Sequence, residues 1–210
     1  MQIDRRHLLF GFGAAAAAAA APSLIHQDVF SAFRQADAGP LRPAALPEPL
    51  PAALAVTPVA DHRRVLLHNL HTGDRLDAVY FEKGRYVPDA LAEAMKVLRD
   101  WRNGEEHVMD PRLFDVMHGV SQKLDVRAPF QIISGYRSPK TNAMLHERSS
   151  GVATHSQHTL GKASDIRSEG VELNRLHKAA LSLAAGGVGL YPVSNFVHVD
   201  VGPVRRWTGS

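Results

Sequence analysis

At 210 residues the chain has room for one domain with extensions and little more, and a hydrophobic content of 45% predicts a packed core. The formal charge of +3 includes a net +1 from Asp4, Arg5 and Arg6, and the rest contains no Lys/Arg block of the kind that tracks phosphates, which argues against nucleic acid as a partner. There is no cysteine, which excludes disulfides, thiolate metal sites and a cysteine nucleophile, so any metal binding or catalysis must use His and carboxylates.

Residues 1–21 read as an export leader: Arg5-Arg6, then an apolar stretch from Leu8 that passes into an alanine run. Asp4-Arg-Arg-His-Leu-Leu9 resembles the twin-arginine signal, and the apolar run is shorter than the ~20 residues needed to cross a bilayer. A periplasmic protein is therefore expected, with no transmembrane segment beyond an uncleaved leader. Pro22 disfavours cleavage directly after Ala21, which leaves the processing point open. Residues 22–60 are dense in Pro and Ala and predict an extended linker, with one short helix over 25–33 ahead of its proline-rich stretch at 40–54.

The folded domain is expected over 61–210. Arg64 to Asn69 and Arg75 to Phe81 are strand-like runs joined by His71-Thr-Gly-Asp74, a hairpin signal. Pro88 opens a helix whose apolar residues recur at helical spacing as far as Trp101. Asp110-Pro111 caps a second helix running through Leu124. Phe130 to Ser134 is a short strand, and the stretch Gly135-Tyr-Arg-Ser-Pro139 after it exposes its side chains before another helix begins near Thr141. Leu173 to Ala185 is an amphipathic helix closed by Gly186-Gly187, and Val188 to Tyr191 with Phe196 to Val201 form a final strand pair. The elements do not alternate regularly, so the class is α+β, a small antiparallel sheet with flanking helices.

The chemistry gathers in Thr154-His-Ser-Gln-His-Thr-Leu-Gly-Lys-Ala-Ser-Asp-Ile166 and Asn195-Phe-Val-His-Val-Asp200. His158, Asp165 and His198 are two imidazoles and a carboxylate, a ligand set that leaves one position of a tetrahedral Zn2+ open for a water whose pKa falls to about 7. Asp165 is expected close to a strand end. On a strand His198 and Asp200 project from one face, so Asp200 is either the base that takes the proton or the acceptor that orients an imidazole. His155 lines or caps the site. Arg137 suits a carboxylate or carbonyl of the substrate. His68, His71, His107, His118, His146 and His177 are expected to face solvent or cap turns.

No Ser stands in an S-x-x-K arrangement, and no His follows Asp200 to complete an iron facial triad, which removes those two rival chemistries. The stretches Ser134-Gly-Tyr-Arg-Ser138, Ser156-x-His158 with Gly161-x-Ala163-x-Asp165-Ile166, and Gly187-Val-Gly-Leu-Tyr-Pro192 leading to Phe196-Val-His-Val-Asp200 resemble the M15 family of zinc D-Ala-D-Ala carboxypeptidases. They are closer still to its branch of periplasmic murein endopeptidases. The resemblance covers about residues 61 to 207. It implies an LAS-type (hedgehog/D-Ala-D-Ala peptidase-like) fold, and one Zn2+ per chain on His158, Asp165 and His198. It also implies a substrate side formed by Arg137 with Tyr136 and Ser156, and peptidoglycan stem peptides as the partner of a monomeric enzyme. Cross-link hydrolysis at diaminopimelate-containing bonds is the expectation. Removal of a terminal D-Ala, or a catalytically silent wall-binding module, are the alternatives. Several relatives in that family carry an acidic base three residues before the last His ligand. Asn195 stands there in this chain, so the base falls to Asp200, with His155 behind it.

Overall fold

The computed structural model describes residues 62–149 and 151–209, so the predicted leader, linker and short helix lie outside the described residues. A hairpin opens the fold: β1 (His62–Asn69) and β2 (Arg75–Glu82) pair antiparallel. The turn is closed by Asn69, whose Oδ1 accepts from the amides of His71 and Thr72, and by Gly73 at φ 78°. Val65, Leu67 and Asn69 alternate into the interior as a half-buried strand requires. Lys83 and Gly84, both at positive φ, then turn the chain into the two-residue β3 (Arg85–Tyr86).

Helix α1 (Pro88–Val97) begins at its proline as expected but stops four residues short of Trp101. The reason is Leu98, which is fully buried and leaves helical geometry so that its carbonyl accepts from the Tyr136 amide at 2.7 Å. Helix α2 (Arg112–Leu124) starts where Asp110 Oδ1 accepts the Arg112 amide at 3.0 Å, and it buries Leu113, Phe114, Met117 and Val120 against the sheet and α4 (Leu173–Ser182). Helix α3 (Pro139–Arg148) is capped by Ser138, whose Oγ accepts from the Thr141 amide. None of the helices in the described residues is long and apolar enough to cross a membrane.

Beyond β4 (Phe130–Ser134) come β5 (Ala163–Ser168), β6 (Gly187–Tyr191), β7 (Phe196–Asp200) and β8 (Arg205–Thr208). The α+β class holds, but the expected small antiparallel sheet is in fact eight strands in the order β3-β2-β1-β4-β5-β7-β6-β8, with β1/β4 and β6/β8 parallel. Strand β8 escaped the pattern because Arg205-Arg-Trp-Thr208 is a mostly exposed edge without apolar alternation. Helix α4 ends at Ser182 rather than Ala185, and Ala184 takes the left-handed φ of 49° expected of a glycine. Gly186 and Gly187 are glycines for another reason: a Cβ on the first would lie 1.8 Å from the Asp200 carbonyl oxygen, and on the second 2.5 Å from its carboxylate.

Candidate active site

Cross-strand register builds the site. Ser134 on β4 pairs with Asp165 on β5, Asp165 with His198 on β7, His198 with Gly189 on β6, and Gly189 with Trp207 on β8. Directly paired residues share a sheet face, so this one row sets Asp165 beside His198 although 33 residues separate them. Asp165 is thus third in a six-residue strand, not at its end. A side chain at Gly189 would collide with the indole of Trp207, and its absence lets Trp207 lie 5.1 Å, ring to ring, from His198.

His158 arrives from a different element, a short 3-10 turn at Gln157–Leu160. Ser156 caps that turn, accepting the His158 amide at 3.3 Å, and Gly161 ends it at φ 65°, where a Cβ would meet the Val108 carbonyl oxygen at 2.2 Å. The imidazole is aimed by its Nδ1, which is 2.7 Å from the carbonyl oxygen of Gly135. Gly135 in turn packs so closely on Leu98 that a Cβ would come within 2.4 Å of a backbone oxygen.

Each imidazole therefore donates a remote N–H, His158 Nδ1 to Gly135 and His198 Nε2 to Asp200 Oδ2 at 2.9 Å, and turns its other nitrogen inward. His198 Nδ1 lies 2.9 Å from Asp165 Oδ1, and His158 Nε2 is 3.2 Å from each of them. In these tautomers the three atoms carry lone pairs and no proton, which is repulsive without a cation between them. Tetrahedral Zn2+ with bonds of ~2.0–2.1 Å spaces its ligand atoms roughly 3.3 Å apart, close to the separations present here. His158, Asp165 and His198 are all buried and are the group among the described residues that could hold a metal ion. The residues fit the ion in donor type, spacing and remote hydrogen bonding.

Electrostatics favour the ligand forms of His158 and Asp165, whereas the two carboxylates beside His198 favour its protonated form, which a bound cation would have to displace. Burial holds the His158 imidazole below its ordinary range, with Asp165 opposing only in part. Burial also works against ionisation of Asp165, but His158 and His198 outweigh it and keep the carboxyl well below the carboxylate range. His198, flanked by Asp165 and Asp200, is raised despite its burial.

The other predicted residues separate by position. Arg137, His155 and Ser156 line the pocket over the trio, together with Tyr191, Phe196 and Trp207. Arg137 is only 9% exposed, yet its contacts are long: 3.4 Å to Asn142 and Ser134, 3.7 Å to Asp165, with Nε unpartnered. Ser156 spends its hydroxyl on the cap. Tyr136, expected on the substrate side, is not in the pocket wall: its ring stacks on His107 at 4.6 Å, and its backbone amide donates to the Leu98 carbonyl. Asp200 has no exposed side-chain surface and is also absent from that wall. Its Oδ1 accepts from Gly187 N, Gly202 N and Arg205, and its Oδ2 from His198 and Arg205. Asn195 is exposed in the β6–β7 turn at φ 55°, a conformation asparagine tolerates better than most side chains. Sequence reasoning missed Arg205 and Trp207, for which no motif spacing stood as a signal.

Asp100 supports the site from behind. It is fully buried, and its carboxylate accepts from the amides of Ser138 and Arg102, which pins the start of α3 just after Arg137. Burial pushes its carboxyl up, but hydrogen bonds from Thr141, Ser138 and Arg102 outweigh that and leave it lowered. A lowered folded value gives stability that is present above the unfolded value near ~4 and is lost as the pH falls through the lower folded one. Melting temperatures of the parent and Asp100→Asn should therefore differ most at neutral pH and converge in acid. A gap that does not change with pH would show that the charge of Asp100 is not what stabilises.

Residues 57–207 match the family model described as peptidoglycan L,D-endopeptidase MepK. The curated protein of that name from Escherichia coli K12 is 47% identical over 164 residues, which covers 78% of this chain and 88% of the relative. The protein of the same name from Shigella flexneri matches to the same extent.

Proposed function

Because this chain belongs to the peptidoglycan L,D-endopeptidase MepK family, we propose that it is a zinc-dependent murein endopeptidase that hydrolyses peptide cross-links at diaminopimelate-containing bonds. The observation that carries the reading is the triangle of inward lone pairs on His158, Asp165 and His198, set beside an arginine whose hydrogen-bonding capacity is largely unspent. An LAS-type fold, and action in the periplasm after export through the twin-arginine route, are parts of the same proposal.

His158, Asp165 and His198 would hold the ion, and Zn2+ there supplies a Lewis acid that polarises the scissile carbonyl and acidifies the attacking water. Arg137 receives a carbonyl or carboxylate of the stem peptide on its underused guanidinium. Gly135 and Asp200 hold the remote N–H groups and so keep both imidazoles in the ligand tautomer. Asp200 suits this orienting role better than that of base, since both its oxygens are already engaged away from the pocket. His155, exposed in the pocket wall, is then the group we assign to carry the proton.

The test is digestion of purified murein followed by mass spectrometry of the muropeptides. Dimers falling to monomers, stopped by a chelator and restored by Zn2+, is the expected result. His155→Ala should slow turnover by about 10²–10⁴-fold with zinc still bound. Loss of a single Ala from monomers would instead make the enzyme a carboxypeptidase, and one equivalent of zinc with no product would make the domain a binding module.

A further inference from the structure

We infer that Arg205 is a positioning residue for the metal site: it clamps Asp200, and through Asp200 it fixes the ring of His198. The inference rests on the reading of His158, Asp165 and His198 as the zinc ligands.

Arg205 reaches Asp200 with both terminal nitrogens, Nη2 to Oδ2 at 2.6 Å and Nη1 to Oδ1 at 3.1 Å. A two-pronged contact of this kind fixes the plane of a carboxylate as well as its position. Oδ2, which takes one prong, is also the atom that accepts His198 Nε2–H at 2.9 Å. The other oxygen is fixed by the backbone amides of Gly187 and Gly202, at 3.0 and 2.8 Å. The carboxylate is thus held from both ends and presents one edge to one imidazole.

The surroundings are shaped for this clamp. A Cβ at Gly187 would come within 2.6 Å of Arg205 Nη1, and one at Gly202 within 3.3 Å of the same atom. The Pro203 carbonyl accepts from that nitrogen at 3.1 Å, and the guanidinium lies 5.1 Å from the centre of the Trp207 ring, itself seated against His198. Strand β8, an exposed edge that adds little to the core, thereby delivers two side chains to the metal site.

Orientation and simple charge predict opposite outcomes. If Arg205 acted only as a positive charge near a cation, its removal would tighten zinc binding; if it orients His198, removal loosens the binding. Replacement of outer partners of metal ligands weakens metal affinity by roughly 10–100-fold.

The experiment measures zinc affinity of the metal-free protein by competition with a chromogenic chelator, without substrate, for the parent, Arg205→Met, Arg205→Lys, Asp200→Asn and the double variant R205M/D200N. Metal-free melting temperatures are recorded alongside. Arg205→Met should bind zinc about 10-fold more weakly at a temperature where its metal-free form is still folded, even where its melting temperature falls because the buried Asp200 loses a charged partner. Arg205→Lys keeps the charge but not the fork, and it should also bind more weakly. The double variant should be no worse than Asp200→Asn, because the two residues act in series. Parental or tighter zinc affinity in Arg205→Met, or losses that multiply in the double variant, overturns the inference. If Arg205→Met does not fold, Arg205→Lys decides alone, and parental affinity there overturns it equally. Failure of the parent itself to bind zinc would bring down the metal-site reading and this inference with it, and only that outcome touches both.

Discussion

His158→Ala should abolish murein cleavage while leaving a folded protein. His158 supplies one of three inward donor atoms, and its Nε2 is 3.2 Å from both of the others. Structural zinc sites with four ligands bind with apparent free energies of ~10–16 kcal/mol, which is about 3 kcal/mol per ligand, so losing one ligand of three weakens the ion roughly 10²–10³-fold. Activity should fall at least as far, since the two remaining donors no longer define where an ion and its water sit. The fold is expected to persist because the turn holding His158 is secured by groups other than the imidazole. Ser156 caps it, the Arg137 amide donates to the His158 carbonyl, and the Gly161 carbonyl accepts from Asp110. Zinc content, melting temperature and muropeptide products measured on the same preparation test this together. Undiminished cleavage that also ignores chelators would remove the metal from the mechanism.

The three candidate ligands were legible because their chemistry was unusual and their motifs specific, and register then explained why they meet. Asp165 and His198 are direct partners across β5 and β7, a relation that alternation along each strand permits but does not state. The capping of α2 by Asp110 and the start of α1 at Pro88 were readable for the same reason: one local interaction decides each. What failed to show depended on contacts between distant segments. Gly186 and Gly187 looked like a helix stop, since a glycine needed for space and one needed for positive φ are the same letter. Arg205 and Trp207 reach the site only because β8 pairs in parallel with β6 and lies over Gly189, and nothing in the local pattern of β8 announces that pairing. Asn195 was placed on the expectation of an acid at the site, whereas its backbone serves a turn that faces solvent.

Asp115→Ala is expected to show the opposite signature, a large loss of stability with the chemistry of the folded molecules intact. Asp115 on α2 is 2% exposed and accepts from Arg63 on β1 at 2.6 Å, from the Tyr80 hydroxyl on β2 at 3.0 Å and from the Tyr86 hydroxyl on β3 at 2.7 Å. One carboxylate thus ties a helix to three strands. Burial and the adjacent Asp115 charge push both phenols well up, so they stay protonated donors throughout the working pH range. Truncation leaves a partly buried guanidinium and two buried hydroxyls without this acceptor, and breaking a buried charged pair from one side costs ~3–5 kcal/mol. For a domain of this size that corresponds to a fall in melting temperature on the order of 10 °C. Asp115→Asn should lie between, because an amide oxygen can still accept from some of these donors but carries no charge for Arg63. The network sits on β1–β3, with β4 between it and the strands that carry Asp165 and His198. Zinc affinity below the melting transition should therefore match the parent. A variant that melts like the parent would show that the three donors find other acceptors, and one that loses zinc while still folded would mean that this wing of the sheet helps to set the site's geometry.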